Sequence, residues 1–287
     1  MSVNINRRTF LTGTAAAAAS FALAACGGSN TSSSAAGSSA GSASEAGSSA
    51  QASYKLVTPG KLTIAAELGF APFEYIDEGS TDPVGFDVDL IKAVAQKMGL
   101  EAEYLPNQAF DTLVPLIKQG GKADVAIAGI TITDDRKEEV DFTDPYLDSN
   151  QGLIVKADSA ETQESLNDAS KKVACQAGTT GEEWIKENIP DCTVVPLADV
   201  TASLEGVTTG LYDAFVIDLP VASNMISQSF KDLKVALEIP TGEQYGIIVS
   251  KDNPELTKAL NEALAAVKED GTQDEIETKW FGSVISQ

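Results

Sequence analysis

Histidine is absent from all 287 residues. With it go the commonest general base, the usual zinc site and any Ser–His or Cys–His nucleophile pair, so most hydrolase mechanisms lack their main actor. Cysteine is scarce, with only Cys26, Cys175 and Cys192. Positive charge is thin as well: 20 Lys and Arg stand against 42 Asp and Glu, for a net charge of −22. Phosphate neutralisation needs clustered Lys and Arg, which argues against nucleic acid as a partner. The acidic excess reads instead as a solvated, self-repelling surface. Neither a Gly-rich phosphate loop nor a recognisable metal-ligand spacing occurs, so no cofactor and no metal is expected.

The N-terminal region holds the chain's first strong signal. Asn6-Arg7-Arg8-Thr9-Phe10-Leu11 leads into an Ala-rich run and then Leu23-Ala24-Ala25-Cys26. A basic start, a short apolar run and small residues before a cleavage point make an export signal. The run is too short and too rich in Ala to span a membrane comfortably. The paired arginines resemble a twin-arginine signal, the route for proteins exported already folded. Leu-Ala-Ala-Cys resembles a bacterial lipobox, in which Cys26 becomes the lipidated first residue of the mature protein. Residues 1–25 are therefore expected to be the signal peptide, and 26–53 a lipidated Cys followed by a tether. Gly27 to Ser53 is almost entirely Gly, Ser, Ala and Asn, which cannot offset its own ordering entropy. Its typical reach is about 30 Å, enough to hold a folded body off the outer face of the cell membrane.

The remaining body alternates strand and helix patterns. Strands are expected at 61–66, 102–105, 123–128, 153–156, 172–176, 193–197, 214–217 and 245–249, and helices at 86–98, 110–119, 181–188, 201–209, 221–230 and 254–270. Such alternation means α/β layers with mostly parallel sheets, and two series of it suggest two lobes. Cys175 falls near the end of one strand and Cys192 just before the next. If those strands run parallel the thiols are too far apart to bond, so both are expected to be free and partly buried. Ligands in α/β sheets sit beyond the carboxyl ends of strands. The loops at 67–73, 129–136, 177–181 and 218–220 are thus the places to seek function.

Seven phrases, in order, carry a resemblance. They are Ala71-Pro72-Phe73-Glu74-Tyr75, Gly85-Phe86-Asp87-Val88-Asp89-Leu90, the stretch 128–136 (AGITITDDR), Asp141-Phe142-Thr143-Asp144-Pro145-Tyr146, Ala177-Gly178-Thr179-Thr180, 213–218 (DAFVID) and Lys279-Trp280-Phe281-Gly282. Together they make the body from Leu62 to Gly282 similar to the amino-acid-binding extracytoplasmic solute-binding proteins (family 3), the receptors of ABC importers. The resemblance implies a two-lobed, periplasmic-binding-protein-like (type II) α/β fold with two mostly parallel sheets and a two-strand hinge. Lobe 1 would comprise 54–146 and 245–287, lobe 2 would comprise 151–240, and hinges would lie near 147–150 and 241–244. A monomer that closes on a free amino acid and docks on an ABC permease and ATPase complex is the expected behaviour.

The same resemblance implies the site. Arg136 would clamp the ligand carboxylate with its two-pronged guanidinium, helped by the backbone N–H groups of Thr131 and Thr180. Thr180 precedes the helix expected at 181, where partial positive charge suits an anion. Asp218 would hold the ligand ammonium, although capping the helix expected at 221–230 is the commoner role for such an Asp. The Thr131 hydroxyl and a carbonyl near Gly129 would take the remaining ammonium protons. Glu67, Phe70 and Phe110 would face the ligand side chain, with Gln176 at a position that varies with specificity. Two rings and a carboxylate suit a cationic chain, so arginine, lysine or ornithine comes first, with glutamine and cystine left open. A prephenate-type dehydratase on the same fold is the enzymatic alternative, with Glu67 as its acid if burial raised its pKa. Against it stands the amino-acid clamp of Arg136 and Asp218. A sensor domain would need a separate partner to signal.

Overall fold

Residues 54–285 are described by a computed structural model; the signal peptide, Cys26 and the tether lie outside the described residues. The body opens with β1 (Lys61–Ala65), whose residues after Lys61 are all buried. Next come β2 (Gly69–Phe70), β3 (Glu74–Ile76) and β4 (Pro83–Val84), then α1 (Phe86–Lys97) and β5 (Glu101–Tyr104). A single 3-10 turn at Phe110–Thr112 leads into α2 (Leu113–Gln119), followed by β6 (Val125–Ala126), α3 (Asp134–Glu139) and β7 (Asp141–Phe142). The second half runs β8 (Leu147–Lys156), α4 (Gln163–Leu166), β9 (Lys172–Gln176), α5 (Thr180–Asn188), β10 (Thr193–Leu197), α6 (Val200–Thr209), β11 (Ala214–Asp218) and α7 (Leu219–Gln228). It finishes with β12 (Leu233–Tyr245), β13 (Ile248–Val249), α8 (Pro254–Glu269) and α9 (Thr272–Phe281).

The helix α1 shows why these residues fold as they do. Val88, Ile91, Val94 and Ala95 recur at helical spacing and are buried. Asp87 and Asp89 sit in the first turn and Lys97 in the last, each matching the helix dipole. Its start demands glycine: Gly85 has φ +138°, and a Cβ there would stand 2.0 Å from the Phe73 carbonyl oxygen.

Two five-stranded sheets form the frame, in the orders β5-β1-β6-β13-β7 and β10-β9-β11-β8-β12, with a small β2-β3-β4 sheet beside them. Both large sheets are mixed rather than mostly parallel. β1 runs parallel to β5 and β6, while β13 is antiparallel to β6 and β7. Likewise β9 runs parallel to β10 and β11, while β8 is antiparallel to β11 and β12. The antiparallel members are those built from the two long crossing strands and their continuations. Helix–strand alternation cannot reveal them, because they return without a crossover helix. The helices α8 and α9 come back to pack on α1, beside the first sheet. One apolar cluster runs from Leu62, Ile64 and Val125 of the first sheet through Tyr146 and Tyr245 to Ile154, Ala174 and Phe215 of the second.

Several expectations shift in detail. The strand expected at 123–128 is reduced to β6, and 245–249 to β13, with Tyr245 ending β12 instead. The strand expected from 153 begins at Leu147, and β12 was not foreseen because Glu238, Glu243 and Gln244 interrupt any apolar alternation. The stretch ending at Arg136 is not all loop: α3 starts at Asp134, capped by the Thr133 hydroxyl accepting from the Arg136 N–H at 3.2 Å. Similarly α5 starts at Thr180 rather than 181, capped by Thr179. Cys175, on β9, and Cys192, just before β10, are both free and buried; the two strands do run parallel, and burial pushes the Cys175 thiol up to about 12.

Candidate functional site

Four strands aim their carboxyl ends at one cleft: β1 and β6 of the first sheet, β9 and β11 of the second. Past β1 lies Glu67, past β6 the stretch from Gly129 to Arg136, at the end of β9 Gln176, and at the end of β11 Asp218. The polar side chains are held by strand ends rather than by long loops, which limits their freedom.

Arg136 spans the cleft. Its Nη1 donates to the Thr131 carbonyl at 2.8 Å and its Nη2 to the Gly178 carbonyl at 3.0 Å, so one guanidinium touches loops belonging to both sheets. Its Cζ lies 5.4 Å from the centre of the Phe110 ring, a cation–π distance. Burial lowers its pKa, opposed by the charges of Glu183, Asp218 and Glu243. Both of these bonds go to neutral carbonyls.

Across the cleft stands a carboxylate group of residues. Asp218 occupies the N-cap position of α7 yet makes no side-chain cap bond. Its Oδ1 instead accepts from Gln151 Nε2 at 2.5 Å, a contact set by the β8–β11 register that pairs these two residues. Burial, then the neighbouring Glu243, push the Asp218 carboxyl up to about 8, against opposing contributions from Tyr245, Gln151 and Arg136. Glu243, on β12, accepts at a single oxygen, Oε2, from Thr131 Oγ1 at 2.9 Å, Thr180 Oγ1 at 3.1 Å and Gln151 Nε2 at 3.1 Å.

Glu67 is 7% exposed, and desolvation pushes its carboxyl up to about 7. A hydrogen bond from the Gln176 amide opposes that rise. Phe70 packs into the apolar cluster at 5.9 Å from the Phe73 ring, while Phe110 is half-buried under Arg136. Gly129 is held from behind: its N–H donates at 2.9 Å to Asp87 Oδ2, which also accepts from Tyr146 Oη at 2.8 Å. Glu74 adjoins Asp87, and burial beside that second carboxylate raises the Glu74 carboxyl well above its usual range. Among the described residues no group of three or more Asp, Glu or Cys side chains is arranged to hold a metal ion.

Of the nine ligand-site residues read from the sequence, Phe70, Gln176 and Asp218 end strands, Glu67, Gly129 and Thr131 follow strands, Phe110 opens the 3-10 turn, Arg136 lies in α3 and Thr180 opens α5. Three further ones were missed: Gln151 and Glu243 within the cleft, and Asp87 behind it. The segments 147–150 and 241–244 were read as hinges alone. The available signal was a carboxylate, Glu243, directly after Gly242 in a stretch with no core pattern.

The sequence profile for bacterial extracellular solute-binding proteins, family 3, matches residues 62–283. ABC transporter arginine-binding protein 1 of Escherichia coli (strain K12) is 34% identical over 226 residues, covering 77% of this chain and 90% of the relative. The L-cystine-binding protein TcyJ of Escherichia coli (strain K12) is 30% identical over 235 residues, covering 81% and 87%. Among solved structures, an ancestral arginine-binding protein bound to glutamine superposes with a TM-score of 0.73 at 39% identity, covering 79% of this chain and all of that one.

Proposed function

The chain belongs to family 3 of the bacterial extracellular solute-binding proteins, and on that premise we propose that it is the substrate-binding receptor of an ABC importer. It captures a free polar amino acid between two lobes and hands it to a permease. Arg136 receives the carboxylate, with the Thr131 and Thr180 backbone N–H groups. Asp218, the Thr131 hydroxyl and the Gly129 carbonyl receive the ammonium. Glu67, Phe70, Phe110 and Gln176 surround the side chain. The observation that carries this reading is a guanidinium bonded to carbonyls and two carboxyls bonded to one amide, gathered around the same strand ends: Arg136 on Thr131 and Gly178, Asp218 and Glu243 on Gln151. A zwitterion is the ligand that satisfies both halves once water is expelled. Lobe 1 is formed by 54–146 and 245–287 and lobe 2 by 151–240, and β8 and β12 act as the hinge where they pass between the sheets.

The side-chain preference is for a cation: arginine, lysine or ornithine. Glu67, Asp218 and Glu243 outnumber Arg136, which favours a ligand of net positive charge. A second reading, an amide side chain as in glutamine, is supported by Gln176 lying beside Glu67: an amide donor next to a carboxyl acceptor is the complement of a carboxamide. No relative reported above is named as an enzyme. Among the described residues no helix is long and apolar enough to cross a membrane. The proposed anchor is the lipidated Cys26, on the strength of the Leu23–Cys26 sequence, and the proposed location is outside the cytoplasm.

Calorimetric titration of protein freed of retained ligand by unfolding and refolding, against the standard amino acids, ornithine and cystine, tests the reading. Tight binding of one or a few is expected, and binding of none would overturn it. The variant Glu67→Gln then divides the side-chain readings. A cationic ligand should weaken by about tenfold or more, the strength of a charge-assisted bond, and neutral amino acids by less than about threefold. Equal losses would remove the charge pairing.

A further inference from the structure

Glu243 comes from neither lobe's strand ends but from the crossing strand β12, and its placement has a specific local cause. The β8–β12 ladder loses register between Ile239 and Glu243. Gly242, at φ +63°, turns there with its N–H donating to Asn150 Oδ1 at 3.0 Å. Such an irregularity re-aims the side chain that follows it. Pairing then resumes at Glu243 opposite Ser149, and an isolated bridge sets Thr131 against Tyr245. The result is one carboxylate oxygen at the meeting point of a first-sheet loop (Thr131), a second-sheet helix start (Thr180) and the other crossing strand (Gln151).

A threonine hydroxyl has one proton and two lone pairs. When the proton goes to a carboxylate, in a charge-assisted bond, the oxygen can only accept from anything else. We propose that Glu243 is the positioning residue for ligand-ammonium recognition, fixing the Thr131 and Thr180 hydroxyls as acceptors by taking the proton of each. This rests on the receptor reading and deepens it, by adding a residue that acts through others.

The surroundings agree. Gln151, 1% exposed, has the two N–H donors of its Nε2 within reach of three acceptors, Asp218 Oδ1 at 2.5 Å, Glu243 Oε2 at 3.1 Å and Thr180 Oγ1 at 3.2 Å, while its Oε1 is buried with no partner. The side chains around Glu243 thus offer acceptors: two hydroxyl oxygens, the Asp218 carboxyl and an unmatched amide oxygen. An ammonium group brings three N–H donors and no acceptor, the complement of that set. A hydroxyl or a methylene in the same place would leave buried acceptors unmatched, which is the strongest form of rejection a polar site provides. Because Thr131 and Thr180 lie on different sheets, the same oxygen also ties recognition to closure.

The test compares ligands that differ only in the ammonium. Binding of L-arginine and its deamino analogue 5-guanidinopentanoate, and of L-glutamine and 4-carbamoylbutyrate, is measured for the wild-type protein, Glu243→Ala and Glu243→Gln. In the wild-type the amino acid is bound far more tightly than its analogue. In Glu243→Ala that preference should fall by about tenfold or more, since two hydroxyls become free to turn a donor toward the ligand. The analogue's own affinity should change by less than about threefold. Glu243→Gln keeps an acceptor oxygen without the charge and should retain an intermediate preference. It also serves as the readout if the Ala variant does not fold. Equal losses for amino acid and analogue would reveal a merely structural role and overturn the proposal, as would an unchanged preference in both variants. Those results leave the receptor reading standing. Binding of no amino acid by the wild-type protein would overturn the receptor reading and this assignment together.

Discussion

Arg136→Ala is expected to weaken binding of every amino acid the protein recognises by about a hundredfold or more, whatever the side chain. The guanidinium is bonded to two carbonyls, those of Thr131 and Gly178, and lies near the Phe110 ring. Neutral carbonyls satisfy its N–H groups but not its charge, and a ligand carboxylate supplies what is missing. Without Arg136 that carboxylate would be buried unpaired, a loss of about 3–5 kcal/mol, or roughly two to three and a half orders of magnitude in Kd. A second effect adds to the first: the bond to Gly178 is lost, and with it a direct tie between the loops of the two sheets. Arg136→Lys should recover only part of the loss, since an ammonium keeps the charge without the fork. Titration calorimetry against the wild-type's best ligand checks both. A loss of less than about tenfold in Arg136→Ala would remove the clamp assignment.

For Asp218→Asn the expected signature is a lost proton as well as lost affinity. In the empty cleft burial and the neighbouring Glu243 raise the Asp218 carboxyl to about 8, so at pH 7 it holds a proton. A ligand ammonium beside it favours the carboxylate and drives that proton off. Binding at pH 7 should therefore release close to one proton from Asp218, read from the dependence of binding enthalpy on the ionisation enthalpy of the buffer. The Asn variant should release correspondingly less and bind about a hundredfold more weakly. The sign for the unliganded protein is opposite to that of a salt-bridged carboxylate. Because the folded pKa is raised, stability from this group is full below the ordinary Asp value of 3.8 and is lost as pH rises toward about 8. Glu67 acts in the same direction, between its ordinary value of 4.5 and about 7. Denaturation midpoints of the empty protein should fall across that window, and the fall should be shallower in Asp218→Asn. A stability that climbs with pH from 5 to 8 would contradict the placement of these carboxyls.

Neighbouring residues in sequence made some of this legible and distant ones did not. The strands Lys172–Gln176 and Thr193–Leu197 have the same bounds in expectation and in structure, because short β-branched runs between turn residues are a local signal. The glycine stop after α1 and the proline in the first turn of α8 are local in the same way. By contrast β12 runs thirteen residues with no regular apolar alternation, and Pro240 and Gly242 interrupt it. Only its partner β8, some 90 residues earlier, makes it a strand. The three-stranded β2-β3-β4 sheet escaped notice because its members are two or three residues long, below the length at which any period can be counted.

The sequence by itself determined the family, through seven phrases in order, and with it the two-lobed α/β fold; its composition, without one histidine, argued against most hydrolytic chemistry. Those are properties of residue type and local spacing, which need no partner to be read. Tertiary structure alone decided that Asp218 faces Gln151 instead of capping α7, that Asp87 holds Gly129 from behind, and that Glu243 collects protons from two sheets at one oxygen. Each of these pairs residues from 42 to 112 positions apart, apart from the missing cap. Their protonation follows from the same distance: a carboxylate's pKa is set by what surrounds it once water is gone, and the chain's order does not say what that will be.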